Sequence, residues 1–358
     1  MIEIKAVFVY PLTIKSGIFP SSPGIRRSFT AALLFLAAGL LFPLGKAENN
    51  VSGHHDGPAE SEIGGFYELA EASGPGNADP SVPNAAPEQG QGSRAERVMK
   101  ALAAAYPERI GEAELRDGDW AVPVLGERFY YAQGRLLPEA LKDKIEEYDP
   151  QPFYNYAPDL PPWREPEPAE TERFRNSAQR RQENPPKRSQ HFYDALWQAH
   201  TREEAYERVK TIRFLSRTVL AHYAILEDLA LVEARILREA QTDPQLREWI
   251  RNIETLSGWN WRSIADTQSR SFHAYGAAID ILPAARRGLE TYWLWTSRNN
   301  PQWWAVPYSK RLHPPDKVIK AFEAYGFIWG GKWLFYDTMH FEYRPEIFLL
   351  NDLPVNRY

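Results

Sequence analysis

The sequence predicts an α+β fold. Segments with helical spacing and segments rich in β-branched or aromatic residues are mixed along the chain, without the regular strand–helix alternation of a parallel sheet. From Gly258 onward the segments are short, aromatic and separated by glycines, which is typical of short strands and turns. With 358 residues, the chain has room for one or two domains and a sizeable core.

The composition limits which residues can bind a metal ion and which classes of partner the protein can have. The sequence has no cysteine, which excludes disulfides and thiolate zinc sites, so any metal has to be held by histidines and carboxylates. The formal net charge of -5 argues against a general nucleic-acid binder and against a polybasic membrane module. We therefore expect no nucleic-acid partner, and the sequence identifies no stable protein partner.

Residues 1–47 are predicted to be a leader that contains a secretory signal peptide. Arg26 and Arg27 precede an apolar run that ends near Leu44, and a short Gly-Lys-Ala segment follows. The run is shorter than the about 20 apolar residues of a membrane-spanning helix, although an uncleaved anchor stays open as an alternative. Residues 1–25 make a long leader, so a start further along the chain also stays open. In either case we expect the protein to be exported to the periplasm or cell envelope.

Three further segments precede the C-terminal part of the chain. Residues 48–94 are dominated by small, polar and acidic residues and by proline, which predicts a disordered linker. Residues 95–148 predict a small helix–hairpin module, with apolar residues at helical spacing and then β-prone residues on both sides of a turn at Gly126. Residues 149–190 are rich in proline and charge, and we expect a loop-like connecting arm there.

Residues 191–358 are expected to form one domain, with its motifs concentrated over residues 258–346. Apolar residues recur at intervals of three and four from about Thr201 to Ala240, which predicts a long packing helix.

Shorter elements follow that helix. Asp243 and Pro244 are an N-cap and first-turn pair, and they predict a shorter helix through Ile253. The segments GAAIDIL and MHFEYR predict strands, and between them KVIKAFEAY predicts a helix that is closed by Gly326.

Two segments of this region carry the chemistry. SRSFHAYGAAID supplies His273 and Asp280, and DTMHFEYRPE supplies Asp337 and His340. Two imidazoles and one carboxylate are a common ligand set for catalytic zinc, with a fourth position left to water. A further carboxylate near that position is what a zinc hydrolase needs as a general base. Because His273 and Asp280 would lie on opposite faces of a continuous strand, they converge only if the chain turns between them, for which Gly276 offers the flexibility.

The first segment follows the pattern Ser-x-His and then Gly, Ala and Asp, at Ser271, His273, Gly276, Ala278 and Asp280. This pattern resembles the first zinc motif of the VanY-type peptidases. That family includes D-alanyl-D-alanine carboxypeptidases, dipeptidases and L-alanyl-D-glutamate endopeptidases of the bacterial cell wall.

The second segment, Asp337-Thr-Met-His340-Phe-Glu, resembles the acidic-x-x-His-Phe-Glu motif of the same family. The preceding GFIWGGKW, residues 326–333, resembles the Gly-Gly-x-Trp that leads into it. The resemblance covers roughly residues 258–345, with both motifs in order, and does not extend to the first part of the chain. It implies a Hedgehog/DD-peptidase-like α+β domain, in which a small antiparallel sheet carries the metal site.

The resemblance also implies roles for individual residues. By position, His273, Asp280 and His340 are the ligands of one zinc ion (Zn2+), and Asp337 is the catalytic base. The base position is usually Glu in the carboxypeptidase and dipeptidase branches. Asp is more like the L-alanyl-D-glutamate endopeptidase branch.

Substrate-binding residues follow from the same comparison. Arg262 resembles the arginine that holds a substrate carboxylate, a task that suits the fork of a guanidinium. The stretch from this residue to His273 is compressed here, so Arg270 is a rival for the role. Ser271 is implied to contact the substrate through its hydroxyl.

The sequence therefore predicts an exported zinc metallopeptidase that hydrolyses a peptide bond in the peptidoglycan stem peptide, in the manner of an L-alanyl-D-glutamate endopeptidase. Two alternatives stay open: a D-alanyl-D-alanine carboxypeptidase, and a catalytically silent zinc-containing protein that binds the wall. Retention of Asp337 argues against the silent protein, because a pure binding module has no use for that carboxylate. Zinc is inferred, since this donor set also suits other divalent ions.

Overall fold

A computed structural model describes residues 93–284 and 288–356. The predicted leader and signal peptide, and the predicted linker up to residue 92, lie outside the described residues. In the part that is described, no helix is long and apolar enough to cross a membrane. The helices, numbered α1 to α10 in chain order, span Arg94–Ala105, Pro168–Glu183, His191–Trp197, Arg202–Arg208, Leu226–Ala240, Pro244–Arg251, Phe272–Tyr275, Trp293–Ser297, Asp316–Glu323 and Pro345–Leu350.

The strands form three small antiparallel sheets. Their orders are β1-β2-β3-β4, β5-β6 and β7-β8-β10-β9. The mixture of helices with small antiparallel sheets confirms the α+β prediction. The strands β1 to β10 span Glu114–Arg116, Asp119–Val124, Glu127–Tyr130, Leu137–Pro138, Val209–Phe214, Arg217–His222, Ile253–Ser257, Ala278–Pro283, Phe327–Trp329 and His340–Tyr343.

Residues 94–147, which we call the N-terminal segment, contain α1 and the first sheet. Ser93 caps α1 by accepting a hydrogen bond from the Glu96 N–H at 3.2 Å. The turn between β2 and β3 lies at Leu125 and Gly126, where both φ angles are positive, as twisted hairpins require. Most of the buried residues of α1 belong to the same hydrophobic core as the strands and helices of the C-terminal part.

The connecting arm contains a helix that the loop-like expectation for residues 149–190 did not include. Pro168 begins α2, where its missing N–H costs nothing, and Glu170 accepts a hydrogen bond from the Glu167 N–H at 2.8 Å. The buried residues Glu170, Phe174 and Arg181 recur at helical spacing. Although most of the helix is polar, this one face packs inward.

The long helix predicted from Thr201 to Ala240 is wrong in its first half. Its α-helices are α4 and α5, and a hairpin of β5 and β6 lies between them. Leu215 and Ser216 form its turn, with φ angles of 45° and 65°. The apolar spacing in this stretch suited a helix as well, but its β-branched residues pack better on a pleated surface.

The last sheet is the centre of the C-terminal part. Strands β8 and β10 are its inner pair, with β7 and β9 outside them. Helix α9 packs on β9 and on α5, and the Phe322 ring of α9 stacks on Phe341 of β10 at 4.1 Å between centroids. The predicted strands over GAAIDIL and MHFEYR, and the helix before Gly326, are therefore present, and they form a rigid support for the side chains described next.

Candidate metal centre

The pairing of β8 with β10 brings the first two candidate ligands together. Asp280 and His340 are direct partners across these antiparallel strands. Directly opposed residues project from the same face of a sheet, so the carboxylate and the imidazole meet without any loop to position them. The distance from Asp280 Oδ1 to His340 Nδ1 is 2.9 Å.

His273 reaches the same point from the short helix α7. The Ser271 hydroxyl caps that helix by accepting the His273 N–H at 3.3 Å. Gly276 ends it with a φ of 72°, a left-handed conformation that turns the chain into β8. The turn predicted at this glycine is therefore present, and it lets His273 and Asp280 converge.

Three donor atoms meet at this point. His273 Nε2 lies 3.0 Å from Asp280 Oδ1 and 3.2 Å from His340 Nδ1. Zinc–nitrogen bonds are about 2.0–2.1 Å long, so the donors of a tetrahedral zinc ion lie about 3.3 Å apart. Among the described residues these three form a candidate metal-binding group.

The outer nitrogen of each imidazole faces a protein acceptor. His273 Nδ1 lies 2.6 Å from the Gly258 carbonyl oxygen, and His340 Nε2 lies 3.2 Å from Glu342 Oε2. Because these outer nitrogens donate to the acceptors, the lone pairs of the inner nitrogens point at the shared centre. Two lone pairs 3.2 Å apart repel each other unless a cation lies between them. The residues therefore fit a metal ion.

The pKa shifts agree with this conclusion. Burial lowers the pKa of His340, but hydrogen bonds to Asp280 and Glu342 outweigh it and raise that pKa to about 10. Burial raises the pKa of Asp280, but the charges and hydrogen bonds of His273 and His340 hold it well below its usual range. The cluster stabilises positive charge at its centre.

A buried ionic network holds His340 from behind. Glu342 accepts a hydrogen bond from Arg344 Nη1 at 3.2 Å, and Arg344 also pairs with Glu346. The hydroxyl of Tyr106, the residue that follows α1, donates to Glu346 Oε2 at 2.9 Å. The network therefore runs from the candidate ligand His340 to the N-terminal segment.

Asp337 lies beside the donors with one free oxygen. Its backbone N–H donates to the Gly330 carbonyl at 3.0 Å, which fixes the chain before β10. Its Oδ1 atom is buried and has no hydrogen-bond partner among the described residues. Burial, and then the negative charge of Asp280, raise the pKa of Asp337 to about 7. This carboxyl group can take up and release a proton near neutral pH.

A cavity of about 630 Å3 opens over this centre. Asp280, Asp337 and His340 line it, together with aromatic residues and several arginines. This volume is in the range of pockets that bind peptides or small molecules. Residues of the connecting arm, including Tyr154 and Arg181, complete the wall.

The two rival arginines have different surroundings. Arg270 forms an ion pair with Asp194, donates to the Ala199 carbonyl at 3.0 Å and stacks over Trp261 at 4.2 Å. Arg262 is exposed, and its positive charge opposes the effect of burial, which raises the pKa of Asp337. Both line the cavity, as does Ser271, whose hydroxyl caps α7. Arg262 is therefore the better placed of the two to receive a ligand.

Comparison with known families supports part of this reading. Residues 265–343 match a family model of the M15 peptidases, described as D-alanyl-D-alanine carboxypeptidase. The match supports the M15 peptidase family broadly. It indicates a hydrolase, and all three candidate ligands and Asp337 lie inside it. Residues 98–153 match a second model, described as a domain of unknown function. No curated protein and no solved structure gave a match.

Arg181, a charged residue of the cavity wall, was not predicted from the sequence. Arg181 lies outside the M15 match, in the arm that was expected to be loop-like. The signal that was available is the helical spacing of Glu170, Phe174 and Arg181, which marks one inward face on an otherwise polar helix.

Proposed function

We propose that this protein is an exported zinc metallopeptidase that cleaves a peptide bond in the peptidoglycan stem, with L-alanyl-D-glutamate endopeptidase-like specificity. The convergence of His273, Asp280 and His340 beside the unpaired oxygen of Asp337 is the observation that carries the proposal. The position of two candidate ligands, Asp280 and His340, on a small antiparallel sheet also suits the Hedgehog/DD-peptidase architecture. Export is supported by the predicted signal peptide and by a family that acts on the cell wall.

The metal would be held by His273 Nε2, Asp280 Oδ1 and His340 Nδ1. When bound, zinc supplies Lewis acidity and lowers the pKa of a coordinated water to about 7. Asp337 accepts the proton of the attacking water and passes it to the leaving amine. Burial favours this proton uptake, because it raises the pKa of Asp337 above its usual value.

The remaining residues orient the peptide and the ligands. Arg262 binds a carboxylate of the substrate, where two parallel hydrogen bonds fix the position of the scissile bond. Ser271 offers a hydroxyl on the same wall of the cavity. Glu342 keeps the His340 ring in the orientation that points Nδ1 at the metal.

One observation favours a second candidate. The family model matched by residues 265–343 is described as D-alanyl-D-alanine carboxypeptidase. Asp rather than Glu at position 337 favours the endopeptidase instead, through the resemblance to that branch. The two activities would use the same metal centre and differ in which peptide bond of the substrate is bound next to it.

Digestion of a defined peptide separates these candidates. The zinc-loaded protein is incubated with L-Ala-γ-D-Glu-L-Lys-D-Ala-D-Ala and with purified peptidoglycan, and the products are identified by mass spectrometry. Release of L-alanine supports the endopeptidase, and release of the terminal D-alanine supports the carboxypeptidase. If zinc binds but neither substrate is cleaved, the enzyme proposal fails and the silent wall-binding protein is favoured.

A further inference from the structure

Arg181 is a buried cation in the wall of the catalytic cavity. It lies near the C-terminal end of α2 and is only 7% exposed. Its guanidinium lies 4.8 Å from the centre of the Phe335 ring and 5.5 Å from that of Trp293. A hydrogen bond from Nη2 to the Ala265 carbonyl oxygen at 3.1 Å fixes it further. The side chain is therefore held in one orientation before any ligand arrives.

The charge of Arg181 is not neutralised by a neighbour. Among the residues described, no carboxylate forms an ion pair with it, and its Nε atom is buried without a hydrogen-bond partner. Glu170, the acid on the same helix face, is bound by Arg164. Burial lowers the pKa of Arg181, and the negative charge of Asp266 opposes this shift without forming an ion pair. Burying a guanidinium in this way costs free energy that an anionic ligand would offset.

The position of Arg181 connects it with the reaction centre. It lines the same cavity as Asp337 and Arg262, but it comes from a different element. Burial and then the charge of Asp337 raise the pKa of Tyr292 to about 12, and the charges of Arg181 and Arg262 act on it in the opposite direction. Both arginines are therefore close enough to act on one phenol beside the catalytic base.

We propose that Arg181 forms a second carboxylate-binding subsite, separate from the one at Arg262, and that it selects peptide substrates with two free carboxylates. The proposal rests on the proposed function and names its substrate class. A guanidinium offers pairs of N–H groups in the fork geometry that a carboxylate accepts. Since α2 belongs to the arm and not to the M15 match, the arm would determine specificity while the matched domain performs the chemistry.

The test uses a peptide with two carboxylates that are changed one at a time. L-Ala-γ-D-Glu-L-Lys-D-Ala-D-Ala carries one on the D-glutamyl residue and one at its C-terminus. The full zinc-loaded chain is titrated with this peptide and with each of its two monoamides, by calorimetry in the Asp337→Asn background and by kcat/KM without that change. We expect each monoamide to bind at least about tenfold more weakly than the parent peptide, because each loses a charge-assisted hydrogen bond.

Three arginine variants assign the effect. Arg181→Met keeps the apolar stem over Phe335 and removes the charge, so it should abolish discrimination against one of the amides. Arg262→Met should abolish discrimination against the other amide. Arg180→Met removes the adjacent but exposed arginine of α2 and should retain both preferences. Arg181→Lys, which keeps the charge without the fork, should show a reduced preference and serves if the Met variant does not fold.

The outcomes separate this proposal from the proposed function. If Arg181→Met and Arg181→Lys discriminate as the parent does, or if Arg181→Met and Arg262→Met lose the same preference, the second subsite does not exist. If the wild-type chain cleaves no peptide but binds a monoamide more weakly than the parent peptide, and this difference is lost in Arg181→Met, the subsite is supported and the peptidase assignment fails. If the wild-type chain binds all three peptides equally, the subsite proposal is overturned whatever the activity.

Discussion

Asp337 and Glu342 are two carboxylates near the same histidine, and their surroundings give them opposite properties. The Oδ1 atom of Asp337 is unpaired, and burial with the charge of Asp280 raises its pKa to about 7. Burial also raises the pKa of Glu342, but hydrogen bonds and charges of His340 and Arg344 outweigh it and lower that pKa. One carboxyl group is therefore set to exchange a proton, and the other remains ionised and orients the ring of His340.

Replacement of Asp337 tests its role as base. We expect Asp337→Asn to lower kcat/KM by about 100-fold to 10,000-fold, because the amide cannot accept the proton. Zinc content, measured by elemental analysis, should remain near one ion per chain, since the three donors are unchanged. Asp266→Asn, which removes an exposed acid next to the cavity-lining residue Ala265, is the control and should retain activity. Loss of zinc in Asp337→Asn would instead make Asp337 a ligand.

Replacement of Glu342 tests the support of His340. Glu342→Gln weakens the acceptor that holds His340 Nε2–H, so we expect zinc affinity to fall about 10-fold to 100-fold. Glu346→Gln is the matched control, because it disturbs the same Arg344 without touching His340. A competition titration with a chromophoric chelator measures both variants. Equal losses of affinity would show that only the stability of the buried network matters.

At the residue scale, the sequence predicted the features that depend on short motifs. Two such motifs contain His273, Asp280, Asp337 and His340. One turn and one strand pair bring His273, Asp280 and His340 together. The choice between Arg262 and Arg270 was not accessible from sequence, because it depends on Asp194, which lies 76 residues away from Arg270 along the chain. Long-range partners decide which charges are free.

At the scale of elements, the hairpin of β5 and β6 supports the metal centre. The His222 N–H donates to the Gly276 carbonyl, and the Trp259 N–H donates to the Leu220 carbonyl, both at 2.8 Å. A Cβ atom on Gly258, whose carbonyl accepts from His273, would lie 2.0 Å from the Leu220 oxygen. The predicted helix over this stretch was wrong because periodicity alone does not see that close backbone approach.

Gly276 gives the element-scale prediction. A Cβ atom there would lie 2.9 Å from the His222 nitrogen and 2.7 Å from Val209 Cγ1, at a φ of 72°. We expect Gly276→Ala to destabilise the fold by about 2–4 kcal/mol and to weaken zinc binding, because the turn positions two ligands. Gly118→Ala is the control, since Gly118 has a φ of 81° with nothing within 4 Å and should cost only about 1 kcal/mol. Chemical denaturation measures both; equal costs would show that crowding at Gly276 is unimportant.

At the scale of the whole molecule, the described chain has one main core. Buried residues of α1 and of β8 to β10 belong to the same cluster, although the two family matches cover separate segments. Arg109 of the N-terminal segment donates to the Leu196 carbonyl at 2.8 Å, and Tyr106 completes the network behind His340. The sequence predicted a helix and a hairpin here, but not their place, because nothing local indicates which face of α1 meets α10.

Removal of the N-terminal segment tests this integration. A chain that starts at Asp149 loses the α1 side chains that cover α10, and the hydroxyl that donates to the buried Glu346. Each fully buried apolar side chain contributes about 1.5–3 kcal/mol, so losing several exceeds the about 5–15 kcal/mol of a typical domain. We expect this chain to show no cooperative thermal transition and to bind zinc weakly. A chain that starts at Ser93 should melt cooperatively and bind zinc tightly. If the shorter chain melts cooperatively and holds zinc as tightly as the longer one, the segment is a separable module and the network through Tyr106 does not support the metal centre.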